Sequence, residues 1–197
     1  MAEPPPLDDR LFAAVDRLAT VVRSARQRLA TRHGTSPLQL QIVEHLAGGR
    51  RARVGDLAAE FAVASPTISD AVSTLVDKGF VERRTDPADK RAVVLGLTPA
   101  GEELAAAVTA EFGPVRRATA GIAGAERATA LHVLLRGIAH LVDAGIIRVD
   151  RSCLTCAHHE PGAGLRPGHC LLLDRPLPPA DLRVDCPDHL SRTTPVP

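Results

Sequence analysis

The sequence predicts a mostly α-helical fold with a small β-hairpin wing: a winged helix-turn-helix flanked by long amphipathic helices, with a small loop-rich, metal-bound tail. Three observations predict it. Apolar residues recur every three or four positions through most of the first 146 residues, the period of helices with one buried face. That period breaks between Phe80 and Leu97 into two runs rich in β-branched residues around a polar turn, the pattern of a hairpin. After Ile147 the periodicity stops, and the remaining residues hold all four Cys and four of the eight His.

Three consecutive prolines keep Met1 to Pro6 out of any helix, so a disordered lead is expected there. Leu7, Leu11, Val15, Leu18, Val22, Ala25 and Leu29 then form one stripe of a long helix that closes near Gly34. Ser36 followed by Pro37 reads as an N-cap with proline in the first turn, opening a second helix to Ala47. A short third helix fits Val54 to Phe61. Ser65-Pro66 repeats the cap-plus-proline start, and a fourth helix runs from it to Lys78, with Gly79 as terminator. Its apolar set is Ile68, Ala71, Val72, Leu75 and Val76, which leaves Thr67, Ser69, Asp70, Ser73, Thr74 and Asp77 on the outer face.

Hairpin strands are expected at Phe80 to Arg84 and Arg91 to Leu97. Thr98-Pro99 caps the next helix, Gly113-Pro114 bends it, and a last helix carries Leu131, Leu134, Leu135, Ile138, Leu141 and Val142. The expected organisation is therefore a lead over 1–6, a domain over 7–147 and a Cys/His-rich extension over 148–197. Within the domain the reading head lies at about 50–101, between helices at about 7–34 and 99–146.

Composition removes several functions. The chain lacks Trp and Tyr, and its four Phe make up the whole 2% aromatic content, so stacking platforms for single strands or RNA are absent. The formal net charge is +1; nucleic-acid binding must then rest on local arrangement rather than on bulk charge. No apolar run approaches the roughly 20 residues of a membrane helix. The acidic, Pro-rich start lacks the order of a signal peptide, so a cytoplasmic protein with no membrane partner is expected. In that reducing compartment four Cys point to metal or thiol chemistry.

Two short helices and a hairpin in this order form a head that reads double-stranded DNA. The second helix enters the major groove by its N-terminal end, which here presents Ser65, Pro66, Thr67 and Ser69, with Ser73 one turn on. Hydroxyls there bond phosphate or base edges. Lys90 and Arg91 lie at the hairpin tip, where a wing senses the minor groove. Arg83, Arg84, Arg50, Arg51 and Arg53 complete the phosphate candidates. Each of them read alone is also an ordinary solvated surface charge. From Arg50 to Leu97 there are eight Lys or Arg against seven Asp or Glu, so binding depends on how the charges segregate and is sensitive to salt.

The runs Gly55-Asp56-Leu57-Ala58, Ser65-Pro66-Thr67-Ile68-Ser69 and Leu75-Val76-Asp77-Lys78-Gly79-Phe80-Val81-Glu82-Arg83 resemble the MarR family. So do Asp86-Pro87-Ala88-Asp89-Lys90-Arg91 and Leu97-Thr98-Pro99-Ala100-Gly101. The resemblance covers roughly residues 7–146. It implies a homodimer joined through the N-terminal and the last two helices, a pseudo-palindromic operator, and repression released by a small-molecule or redox effector. It also implies that Arg91 is the wing arginine, with Asp89 orienting it through a charge-assisted bond. Asp70 departs from expectation, as an acid on a helix that faces phosphate. Independently of the family, two long helices with broad apolar stripes suit a two-fold dimer better than a monomer of this size.

Cys153 and Cys156 form a C-x2-C clamp, with Cys170 and Cys186 supplied from farther along. His159, His169 and His189 are interleaved as alternate ligands. Such a set closes a tetrahedron around zinc and staples a segment too small for its own core. The alternatives are an iron–sulfur cluster, with Pro187 directly after Cys186, and then a thiol–disulfide switch at Cys153 and Cys156. Unrelated Cys in a disordered tail is the bland alternative, against which Leu171, Leu172, Leu173 and Leu182 argue. No P-loop, dinucleotide fingerprint or nucleophile elbow is present, so the chain does not read as an enzyme. A thiol oxidoreductase and a metal-binding protein-interaction module are the alternatives to a regulator.

Overall fold

The computed structural model describes residues 4–86, 89–162 and 167–192. The first three residues of the expected lead, Pro87 and Ala88 of the expected hairpin turn, and residues 163–166 and 193–197 of the expected extension lie outside the described residues. The chain forms two compact units. One takes residues 1–58 and 63–118, the other residues 119–197 with 59–62.

In the first unit, helix α1 (Leu7–Arg32) starts directly after the prolines, with Asp8 and Asp9 in its first turn and Arg32 in its last, each favourable to the helix dipole. Helix α2 (Pro37–Leu46) opens with a capping box. The Gln39 backbone N–H donates to Ser36 Oγ at 3.2 Å, and the Ser36 N–H donates to Gln39 Oε1 at 2.9 Å. Helix α3 (Val54–Glu60) is braced at its start by the Arg53 N–H, which donates to Asp56 Oδ2 at 3.0 Å. Helix α4 (Ser65–Asp77) follows a turn that holds Ala62 at a φ of 51°.

Strands β1 (Val81–Thr85) and β2 (Val93–Leu97) pair antiparallel, with Val81 opposite Leu97 and Thr85 opposite Val93. Ala52 adds a bridge to Leu95 on the far edge of β2. Helix α5 (Pro99–Glu111) and the short α6 (Gly113–Arg117) complete the unit, with the bend at Gly113-Pro114. Helix α2 lies at the centre, against α1, α4 and α5. Its Leu40, Ile42, Val43 and Leu46 are fully buried with Leu29, Ile68, Val72, Leu75 and Val108.

The stripe of α1 is covered only at its C-terminal end, at Ala25 and Leu29. Leu7, Phe12 and Leu18 are 61%, 75% and 62% exposed, so the chain by itself does not use most of the apolar face that its sequence writes.

In the second unit, helix α7 (Gly124–Asp143) is followed by a 3-10 turn at Cys153–Thr155 and a small antiparallel sheet. That sheet runs β3 (His159–Glu160), β4 (Gly168–Cys170), β5 (Arg175–Leu177). Strands of two or three residues carry no legible alternation, which is why the segment reads as loop in the sequence. Leu135 of α7 is buried with Cys153, Leu177 and Leu182, and Leu131, Ile138, Leu154 and Cys170 pack around them. The compact unit therefore starts at 119, ahead of the composition shift at 148: one face of α7 supplies core that the Cys-rich segment lacks. Val133, Leu134 and Leu141 of the same helix remain exposed.

Candidate nucleic-acid interface and cysteine site

The outer face of α4 is as the period predicts. Ile68, Ala71, Val72 and Leu75 are buried, while Ser65, Pro66, Thr67, Asp70 and Ser73 are exposed and Ser69 is half-buried. One detail differs from expectation. Ser65 does not cap the helix; the cap position falls on Ala64, whose methyl accepts no hydrogen bond. Pro66 then sits in the first turn, and Ser65 is the exposed first residue of the helix. Asp70 is exposed on the same face, and its backbone carbonyl accepts from Thr74 Oγ1 at 3.0 Å.

The wing candidates divide by their partners. Arg83 Nη2 donates to Ser73 Oγ at 3.4 Å, which ties β1 to α4. Arg84 is paired with Glu82, whose hydrogen bond raises the pKa of the guanidinium. Arg53 is paired with Asp86 at 2.8 Å. Lys90 and Arg91 lie exposed at the hairpin turn. The Asp89 carboxylate accepts the backbone N–H of Arg91 at 3.0 Å, which shapes the turn that carries the wing arginine candidate.

The motif from Leu97 to Gly101 is explained by two contacts. Thr98 Oγ1 donates to the Gly79 carbonyl at 2.6 Å and accepts the Gly101 N–H at 3.1 Å, so one hydroxyl closes α4 and opens α5. Gly101 faces the Phe80 carbonyl so closely that a Cβ would stand 2.1 Å from its oxygen.

In the second unit the four cysteines are free thiols, and all four line one small cavity. Cys153 and Cys156 come from the 3-10 turn, Cys170 from β4, and Cys186 from the segment that runs beside Arg151. The cavity has a volume of about 20 Å³, with Leu172, Leu173 and Leu177 among its walls. Among the described residues, no three Cys, His, Asp or Glu side chains gather tightly enough to hold a metal ion.

The turn is set by Asp150, whose Oδ2 accepts from Ser152 N at 3.1 Å, Ser152 Oγ at 2.6 Å and Thr155 Oγ1 at 2.7 Å. Arg183 reaches two of the sulfurs. Its backbone N–H donates to Cys153 Sγ at 3.2 Å and its Nη1 to Cys186 Sγ at 3.6 Å. Burial pushes the Cys153 thiol up from its ordinary range, and the Arg183 N–H works against that.

The alternate ligands part company. His159 lines the cavity, but its Nδ1 stands 3.1 Å from Arg192 Nη2. His169 Nε2 lies 3.1 Å from Asp174 Oδ1, and His189 Nε2 lies 3.0 Å from Thr155 Oγ1. Neither His169 nor His189 is among the lining residues, whereas His158 is. Asp150, Arg183 and Arg192 have no signal in the sequence, because their roles depend on pairings across 30 residues or more, or on a turn visible only when folded.

A MarR family model matches residues 33–92. An uncharacterized HTH-type transcriptional regulator of Mycobacterium leprae is 35% identical over 101 residues, which span 50% of this chain and 70% of that protein. A crystal structure of a MarR family transcription regulator is 27% identical with a TM-score of 0.57, covering 70% of this chain and 94% of that one. A MarR family regulator from Silicibacter pomeroyi shares the fold with a TM-score of 0.58 at 22% identity, covering 70% and 92%.

Proposed function

The chain belongs to the MarR family of helix-turn-helix transcriptional regulators, and from that premise we propose that it is a dimeric repressor whose affinity for its operator is set by the metal, cluster or thiol state of its four cysteines. DNA binding and transcription regulation belong to the family itself. The operator is pseudo-palindromic: each α4 enters a major groove through Ser65, Pro66, Thr67 and Ser69, and each Arg91 lies over the flanking minor groove. Arg83 holds the wing to Ser73, so that helix and wing meet the duplex as one surface.

The observation that carries the DNA reading is the division of α4, apolar inside and hydroxyl-rich at its exposed N-terminal end. The dimer reading rests on the uncovered apolar residues Leu7, Leu11, Phe12, Val15 and Leu18 of α1, and separately on Val133, Leu134 and Leu141 of α7. A second copy of the chain is the partner that such stripes fit. Control by the second unit rests on four free cysteines from three segments meeting at one cavity, packed on Leu135 of α7. Ligating them changes the order of the very unit whose other face offers a dimer contact.

Fluorescence-anisotropy titration of the metal-loaded chain against duplexes from its own upstream region tests this. A saturable complex on one duplex, competed weakly by scrambled sequence and footprinting with two-fold symmetry, is expected. Equal affinity for all sequences would overturn the regulator reading. Affinity that is the same with the cysteines metal-loaded, reduced or oxidised would overturn the control by the cysteines while leaving the DNA reading intact.

A further inference from the structure

Helix α7 carries His132, Arg136, His140 and Asp143 at spacings of four, four and three, which set them in one row beside the face that covers the Cys-rich segment. The four line a cavity of about 730 Å³, closed on the far side by Leu154, Leu177 and Leu182. Small-molecule sites measure roughly 300–1,000 Å³. We infer that this cavity binds an organic monocarboxylate with an apolar body, a ligand site distinct from the cysteines and contained within the second unit. Prolines join the three leucines in its walls, and its full charges are confined to Arg136, Arg192 and Asp143. A mostly apolar lining with a few convergent polar groups matches a molecule that is charged at one end.

The sign and size of the charge select the ligand. Two guanidiniums stand against one carboxylate, so with histidines counted as neutral the lining keeps a single positive charge. A carboxylate matches it; a phosphate dianion would leave a negative charge unpaired beside apolar walls. Nor is that positive charge cancelled within the protein. The ion pairs of this unit join Arg151 to Asp185, Arg175 to Asp181 and His169 to Asp174, and among the described residues Arg136 and Arg192 have none. Arg192 is aimed instead by neutral acceptors. Its Nε donates to the Cys156 carbonyl at 2.8 Å and its Nη2 to the His159 carbonyl at 3.1 Å. Those bonds fix the fork and leave its charge uncompensated, as a partner for a carboxylate requires. Gly168 makes room for the His159 ring in the same wall, since a Cβ there would stand 2.6 Å from Nε2.

The test is calorimetric titration of octanoate into the full-length protein with its thiols kept reduced, since His159 and Leu177 also line the cysteine cavity. One octanoate per chain is expected, with a Kd of about 1 mM or below. The uncharged 1-octanol is expected to bind about fivefold more weakly or worse, because it cannot use the guanidiniums. Arg136→Gln and Arg192→Gln are each expected to weaken octanoate roughly tenfold, the loss of one charge-assisted contact. Arg127→Gln, on the same helix but outside the cavity, is expected to bind as the wild type does. No saturable binding of octanoate, or equal binding of 1-octanol, overturns the carboxylate site. Inorganic phosphate that displaces octanoate at equal concentration overturns the monocarboxylate in favour of a phosphate site. Unchanged affinity in both arginine variants places octanoate elsewhere and overturns the cavity as its site. The three ligands are compared on the wild type, so the inference stands or falls even where a variant fails to fold. No DNA or metal enters the measurement, so its failure leaves the regulator reading untouched.

Discussion

The guanidinium of Arg53 donates to Asp86 Oδ2 at 2.8 Å, joining the residue before α3 to the end of the first wing strand across 33 positions of sequence. Arg53 reads as a phosphate contact in the sequence, yet its charge is matched within the protein, and that bond raises its pKa. The Arg53 side chain is 50% exposed, so solvent screens the pair and it adds little to stability. Arg53→Ala is therefore expected to leave the slope of log affinity against log salt unchanged. A slope shallower by about 0.9, measured by anisotropy across salt concentrations, would place Arg53 on a phosphate after all.

Arg91 behaves in the opposite way. Asp89 holds the turn through the Arg91 backbone N–H, so truncating the side chain leaves the turn closed. Arg91→Ala is expected to weaken operator binding roughly tenfold and to lower the salt slope by about one, with the melting temperature unchanged. Unaltered affinity would mean that the wing does not reach DNA.

Gly101→Ala places a methyl 2.1 Å from the Phe80 carbonyl oxygen. Backbone stands on both sides of that contact, so neither partner can swing away. A loss of about 1–3 kcal/mol or more is expected in thermal or urea unfolding. A melting curve that overlays the wild type would show that the α4–wing–α5 junction has slack that the structure does not.

Ser36→Ala removes one half of the capping box that opens α2, the central helix of the first unit. The expected cost is about 1 kcal/mol. Gly in its place is expected to cost only a few tenths, and equal losses for the two variants would point to packing instead of capping.

Leu135 is 1% exposed and sits between α7 and the Cys-rich segment. Leu135→Ala is expected to destabilise the second unit by about 2–5 kcal/mol. Native-state hydrogen exchange locates the effect: amides of residues 124–192 should lose protection while those of 36–111 keep theirs. Uniform loss along the chain would mean that the two units unfold as one.

Much of the fold is legible in the sequence because its signals are local. The caps at Ser36 and Thr98, the prolines behind them, the period of α4 and the break into a hairpin each lie within a dozen residues, and each names its element. The cap at Ser65 misleads by one position, since a Ser before a Pro reads alike whether it is the cap or the first helical residue. Spacing reports that Asp89 and Arg91 meet and is silent on which atoms do; the bond present runs to the Arg91 backbone N–H.

What the sequence by itself determined is the order of helices and hairpin, the family, the polar face of α4 and the identity of four ligand-type residues. All of these follow from periodicity, capping chemistry and residue type, which are properties of short stretches of chain. Only the tertiary structure decided that Arg53 is neutralised by Asp86, that the apolar face of α7 is split between the Cys-rich segment and solvent, and that the cysteines surround a cavity. Those facts depend on residues from separate elements being folded against each other, and side-chain type alone does not encode which neighbour arrives first.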